Sequence, residues 1–260
     1  MDKYVKSSGN VTIHYEISGT GPVALLFVHG WLGSSDWWHN QKHHFLNKYT
    51  VLCMDLAGHG KSDTRTSYSS TQYAEDVRAV AGDIDHMVII LVGHSMSGPY
   101  VLEAAPFIPN AKAIILVDTF KDPDQTLTHE KADELIFTHY RKDFRSAIEK
   151  ILPQFLYAKE TPAAVIEQLK NDFLKYDGKT AIMLIEPLYL IDTKKIASMV
   201  KTPVRAINSD LSPTNRDSLL KFIDDYDFLT IHGSGHYPML EKPAEFNKAL
   251  ENLIEKLHLG

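Results

Sequence analysis

Three stretches of the chain, VALLFV (23–28), MVIILV (87–92) and AIILV (113–117), are apolar at every position and rich in branched side chains. A strand with one wet face alternates. A strand with no alternation needs cover on both faces, and sheets covered on both faces by helices are mainly parallel. This constrains the architecture more than any other feature. YTVLCMDL (49–56), PVRAIN (203–208) and DFLTIH (227–232) supply three further strand candidates. VTIHYEIS (11–18) alternates cleanly, with Val11, Ile13, Tyr15 and Ile17 on one face, and reads as a half-buried strand near a sheet edge.

Helical patterns fall between these runs. STQYAEDVRAVAGDI (70–84) and MSGPYVLEAAPF (96–107) each join two strands, and KPAEFNKALENLIEKL (242–257) closes the chain. In the last, Pro243 stands near the first helical position, and Phe246, Leu250, Leu253, Ile254 and Leu257 form one stripe. Alternation of strand and helix predicts an α/β fold with a mostly parallel central sheet flanked by helices. Residues 120–198 break the alternation, being helical almost throughout. TPAAVIEQLKNDFLKY (161–176) is expected to start with Thr161 as cap and Pro162 in first position, with Ile166, Leu169 and Phe173 on one face. The expected division is a core of residues 1–119 and 199–260, with a helical insertion at 120–198 over one end of the sheet.

The formal net charge of −6 argues against nonspecific binding of nucleic acid or anionic membranes, both of which attract basic surfaces. The single cysteine, Cys53, lies in a strand pattern and reads as a core thiol. The opening MDKYVKSSGN lacks the apolar core of a secretory signal, and no run approaches the ~20 apolar residues of a membrane span, so the expected location is cytoplasmic. The oligomeric state is left open.

The chemistry concentrates in LVGHSMSGPY (91–100). Ser95 falls between a buried strand and a helical pattern. A tight turn there pushes its hydroxyl off the strand end, and small neighbours let strand and helix approach closely. The alternative is a serine that only caps the helix. A serine nucleophile needs a base, and the base needs an orienting carboxylate. His236, in IHGSGHYPMLEKP (231–243), follows two glycines just beyond a strand and suits the base, whereas His43, His44, His129 and His258 read as surface residues. For the acid, Asp210 ends the strand in TPVRAINSDLSPTN (202–215), and chain order favours it over Asp118, which ends AIILVDTF (113–120). Asp192, inside the insertion, ranks third. FVHGWLGSSDWW (27–38) places Trp31 so that its backbone N–H, with that of Met96, forms an oxyanion hole. Trp37 and Trp38 read as packing. No H-E-x-x-H, dense His/Asp cluster or strand followed by G-x-G-x-x-G is present, so neither metal nor cofactor is expected.

HGWLGSSDWW, DLAGHGKSD, GHSMSG, INSD and GSGHYPMLEKP, in this order, give the chain from about residue 11 onward a sequence that resembles the α/β-hydrolase fold superfamily, in its serine-nucleophile branch. The resemblance implies a serine hydrolase cleaving a carboxylic ester, thioester or lactone of a small molecule, with Ser95, Asp210 and His236 in the order nucleophile, acid, base. It also implies a lid at 120–198 with a pocket beneath it, which Met183, Leu184, Leu188 and Tyr189 are candidates to line. Two departures stand out. Ser97 replaces the usual second glycine, implying slight crowding, and INSD is a short acid loop. The same superfamily leaves open a small-molecule sensor that turns over slowly or not at all, and carbon–carbon bond hydrolase or perhydrolase branches.

Overall fold

A computed structural model describes residues 1–84 and 87–257; His258 lies outside the described residues. In chain order the strands are β1 (Asp2–Lys6), β2 (Thr12–Ser18), β3 (Val23–Val28), β4 (Thr50–Met54), β5 (Val88–His94), β6 (Ala111–Val117), β7 (Val204–Ser209) and β8 (Tyr226–Ile231). They form one sheet in the order β1-β2-β4-β3-β5-β6-β7-β8. From β4 to β8 all neighbours are parallel, while β1 pairs with β2 and β2 with β4 antiparallel. The expected α/β class and mainly parallel sheet are what the structure has. The continuous apolar runs are its centre: Ala24–Val28, Ile89–Val92 and Ala113–Val117 are buried throughout. β1 is an additional strand, exposed along most of its length and held as an edge by β2.

Helices α1 (His39–Phe45), α2 (Ser70–Gly82) and α3 (Ser97–Ala104) follow β3, β4 and β5. Between β6 and β7 come α4 (His129–Ala132), α5 (Thr138–Ser146), α6 (Pro153–Leu156), α7 (Ala163–Phe173), α8 (Gly178–Leu190) and α9 (Thr193–Met199). The chain closes with α10 (Arg216–Leu219), α11 (Pro238–Glu241) and α12 (Pro243–Lys256). Right-handed crossovers send the β3–β4 connection and the β4–β5 connection to opposite faces. Accordingly α1 packs with α12 and α2 with α3. The stripe Phe246, Leu250, Leu253 and Ile254 of α12 is buried. α8 runs on through Pro187 rather than breaking there. α7 buries Leu169 and Phe173, but Pro162 stands at its cap position and Thr161 does not cap it. The Thr161 hydroxyl is instead 2.6 Å from Glu241 Oε2, a tertiary bond that local spacing does not encode.

The DLAGHG segment is a braced turn. Buried Asp55 accepts from the backbone N–H groups of Ser35 and Lys61 at 2.6 and 2.9 Å, and faces His14 Nδ1 at 2.8 Å. Gly60 (φ 51°) lies so close that a Cβ would be 2.2 Å from the Asp55 carboxyl carbon. Cys53 is buried in β4, and burial pushes its thiol up, away from the thiolate.

Where β5 meets α3, a Cβ on Gly93 would come within 2.7 Å of Val101 Cγ2 and 3.0 Å of the Ser97 carbonyl. Gly93→Ala is expected to destabilise the fold by roughly 1–3 kcal/mol through overpacking, read by urea denaturation. A variant as stable as the parent would show that strand and helix can part there without strain.

Candidate active site

β5 ends at His94, and the chain turns into α3 through Ser95, whose φ of 53° is a left-handed conformation uncommon for a residue with a Cβ. The Ser95 N–H donates to the carbonyl of Val117 at the end of β6, 3.0 Å away, and its carbonyl accepts from Gly98 N–H at 3.0 Å. The turn is thus fixed by hydrogen bonds on both sides. Ser97 causes no visible crowding: buried, it turns its hydroxyl to within 2.9 Å of both the Val28 and His94 carbonyls.

His236, between β8 and α11, reaches this turn. Its Nε2 is 2.7 Å from Ser95 Oγ, and its Nδ1 is 2.7 Å from Asp118 Oδ2. The carboxylate takes the Nδ1–H, which leaves Nε2 free to accept the serine proton. Asp118 is the first residue after β6, also in a left-handed conformation (φ 46°), and its Oδ1 accepts from Ser209 N–H at 2.7 Å.

Asp210, the acid favoured by chain order, does not join the group. It is exposed at the end of β7, where both its oxygens accept from Gly233 N–H at 3.1 Å and one faces His232 Nδ1 at 3.3 Å. The reason is positional. β6 is hydrogen-bonded directly to β5, whereas β7 lies one strand further out. The short loop after β7 turns Asp210 to brace the backbone three residues before His236. Asp118 still falls between Ser95 and His236 in the chain. Asp192 caps α9 instead, accepting from Lys195 N–H at 3.0 Å.

Two polar residues support the group without a distinctive motif. Lys121 Nζ lies 2.6 Å from Asp118 Oδ1 and also donates to Ser209 and Ser212 carbonyls. Burial opposes ionisation of Asp118, but the His236 hydrogen bond and charge, together with the Lys121 ammonium, hold the carboxyl well below the usual carboxylate range. His94 Nε2 donates to the His236 carbonyl at 2.8 Å. Its burial, with His236 beside it, lowers its pKa to about 3, so it stays neutral.

Opposite this line, the chain leaving β3 abuts the turn: a Cβ on Gly30 would stand 3.1 Å from Ser95 Cβ. Trp31 follows Gly30, and Met96 follows Ser95. The Trp31 indole donates to the Ala181 carbonyl of α8 at 2.8 Å and stacks on Tyr140 of α5 at 5.3 Å. Trp37 and Trp38 are fully buried.

A cleft of about 970 Å³ opens beside His236 and Asp118, between the helical insertion and the loop after β7, with Leu127, Phe155, Leu188, Tyr189 and Leu211 among its walls. Of the residues expected to line a pocket, Leu188 and Tyr189 do so here. Leu184 is fully buried, and Met183 lies off this cleft. No group of three or more His, Cys, Asp or Glu able to hold a metal ion occurs among the described residues, and no helix among them is long and apolar enough to cross a membrane.

A parallel α/β sheet carrying Ser95, His236 and Asp118 in one hydrogen-bonded line beyond its strand ends defines a class, α/β proteins with a serine–histidine–aspartate site. The sequence profile of the alpha/beta hydrolase family matches residues 25–249, so the chain belongs to that family and is a hydrolase. Among its relatives, the pimeloyl-[acyl-carrier protein] methyl ester esterase of Wigglesworthia glossinidia brevipalpis is 25% identical, over 94% of this chain and 98% of its own. A non-heme chloroperoxidase of Streptomyces lividans is 36% identical over 39% of this chain and 40% of its own. Among solved structures, a thermophilic esterase from Thermogutta terrifontis aligns with a TM-score of 0.84 at 21% identity, covering 99% of each chain. The enol-lactonase from Burkholderia xenovorans aligns with a TM-score of 0.82 at 19% identity, covering 97% of this chain and 100% of its own.

Buried neutral imidazoles make the fold acid-sensitive. His59, like His94, is lowered to about 3, chiefly by burial. Unfolded, each protonates near 6.5, so the unfolded chain binds more protons below that pH. Stability is therefore full above about 6.5 and falls as pH drops toward 3, by at most about 1.4 kcal/mol per pH unit for each imidazole. Urea denaturation between pH 7 and pH 4 should show this slope, and His59→Gln should reduce it by close to one proton. An unchanged slope in that variant would mean that His59 already carries a proton in the fold.

Proposed function

We propose that the protein is a serine esterase acting on small-molecule carboxylic esters, thioesters or lactones, with Ser95 as nucleophile, His236 as base and Asp118, rather than Asp210, as orienting acid. The observation that carries this reading is the unbroken line Ser95 Oγ, His236 Nε2, His236 Nδ1, Asp118 Oδ2, with 2.7 Å at each hydrogen bond. The ester- and lactone-cleaving relatives agree with it.

In the first step His236 Nε2 takes the hydroxyl proton as Ser95 Oγ bonds to the carbonyl carbon. Charge moves to the carbonyl oxygen, and the backbone N–H groups of Trp31 and Met96 are its proposed donors. His236 then returns the proton to the leaving oxygen or sulfur, and the acyl group remains on Ser95. A water molecule deprotonated by the same Nε2 attacks the acyl carbon, and the proton finally restores Ser95. Asp118 stays ionised throughout. It fixes the ring tautomer and stabilises the imidazolium, a task to which its depressed pKa suits it. Residues 120–198 serve as the lid, and the cleft between them and the loop after β7 is the proposed substrate site.

With p-nitrophenyl butyrate as probe, Ser95→Ala should lower kcat by roughly 10⁵–10⁶-fold. Asp118→Asn should lower it about 10⁴-fold through the wrong histidine tautomer. Asp210→Asn, a change at an exposed carboxylate, should leave kcat within about twofold. Wild-type turnover by Ser95→Ala would refute the mechanism, and the reverse ranking of the two aspartates would return the acid role to Asp210.

Lys121→Met should cost on the order of 3 kcal/mol at neutral pH, because it leaves Asp118 buried without its cation. The depressed Asp118 pKa fixes the sign. The cost is present at neutral pH and shrinks as pH falls, because without the ammonium the folded variant takes up a proton on Asp118 at a higher pH than the folded parent, while the two unfolded chains titrate alike. A cost independent of pH, measured by urea denaturation, would show that the lysine acts through packing alone.

A further inference from the structure

The backbone N–H groups of Gly235, His236 and Tyr237 each have a specific partner, and two of the three donate to one side chain. Glu241, buried at the end of α11, accepts from Gly235 N–H through Oε2 at 2.7 Å and from Tyr237 N–H through Oε1 at 3.0 Å. Its two oxygens therefore hold the residues immediately before and after the imidazole. Oε2 also accepts from Thr161 Oγ1 at 2.6 Å, and Thr161 Oγ1 in turn accepts from Ala158 N–H at 2.9 Å. The N–H of His236 itself donates to the carbonyl of Leu156, the last residue of α6, at 2.7 Å. The packing leaves no slack: a Cβ on Gly235 would lie 2.5 Å from the Leu156 carbonyl and 2.7 Å from Glu241 Oε1.

We infer that Glu241 is a positioning residue for His236, and that through Thr161 it ties the imidazole's place to residues 156–161 of the helical insertion. The inference rests on the serine-esterase reading above. Three donors meet one carboxylate, so the ionised form satisfies all of them, and an amide in its place turns an N–H toward at least one. The imidazole must keep one hydrogen bond to Ser95 and another to Asp118 at once. A shift of about 1 Å in such a group costs roughly 10²-fold in rate. A clamp on both flanking N–H groups is the local means of preventing that shift, and Thr161 extends it to the chain that follows Gln154 and Phe155 of the cleft wall.

The test uses the full chain with p-nitrophenyl butyrate, near-UV circular dichroism to establish folding, and the variants Glu241→Gln, Thr161→Val and Thr161→Ser. Folded Glu241→Gln should lose on the order of 10²-fold in kcat with KM within about threefold of the parent. Thr161→Val should lose about tenfold in kcat, and Thr161→Ser, which keeps the hydroxyl, should recover most of it. The Thr161 pair carries the test by itself, because a role confined to stability would move the melting temperature of both variants without splitting kcat from KM. Parent-like kcat in folded Thr161→Val, or equal loss in Thr161→Ser, overturns the inference. Ser95→Ala run alongside separates the two claims. Activity surviving in it removes the esterase reading itself, whereas an inactive Ser95→Ala beside fully active Glu241 and Thr161 variants removes only the clamp.

Discussion

The site depends first on strand register. In the parallel ladder Val28 stands opposite Gly93, His94 opposite Val117, and Val117 opposite Ile207. Three strands thus end at nearly one level, and the residues that leave them emerge side by side: His29–Trp31 from β3, Ser95 from β5 and Asp118 from β6, with Ser209, the last residue of β7, beside Asp118. Parallel pairing is what makes this possible, because it brings the carboxyl ends of non-consecutive strands to one edge, beside the point where strand order reverses. A slip of one residue would turn each side chain to the other face. The apolar side chains buried on both faces of β3, β5 and β6 fix that register, so the core that stabilises the molecule also sets the spacing of the groups in the candidate site.

That dependence explains what the sequence made legible. The runs that stay apolar without alternation announced a doubly covered sheet, and the glycines around Ser95 and before His236 announced turns at its edge. Fold class and the positions of Ser95 and His236, the proposed nucleophile and base, follow from local pattern. β1 was invisible because an edge strand exposed along most of its length has no apolar face to read. Asp210 and Asp118 each end a strand with a carboxylate, and local pattern cannot say which strand neighbours β5. Only sheet order decides it, and sheet order is a property of long-range pairing. Glu241 and Lys121 were unreadable for a related reason. The partners of Glu241 are the nearby backbone N–H groups of Gly235 and Tyr237 with the distant Thr161 hydroxyl, and those of Lys121 are the Asp118 carboxylate with carbonyls at the end of β7 and just beyond it; backbone groups leave no mark in an amino-acid sequence. Thr161 shows the converse: it sits where a helix cap is expected, yet its hydroxyl is taken by a tertiary partner.

The environments of the histidines separate sharply. His94 and His59 are enclosed and held neutral, His14 lies between two carboxylates, and His236 keeps a partly open ring with a carboxylate on one nitrogen and a hydroxyl on the other. Only the last arrangement lets a proton arrive at one nitrogen while the opposite nitrogen stays bonded. Among these four, surroundings rather than residue type set His236, the proposed base, apart.

Ser97 also bears on how such chains are recognised. Its hydroxymethyl group occupies the place where a glycine is usual, yet it fits by pointing inward at two carbonyls that end neighbouring strands. What the elbow demands at that position is therefore the absence of bulk on the helix side, and glycine is one way of meeting the demand. A pattern that insists on the bare residue would pass over this protein, although Ser95 still holds its left-handed turn beside the buried serine.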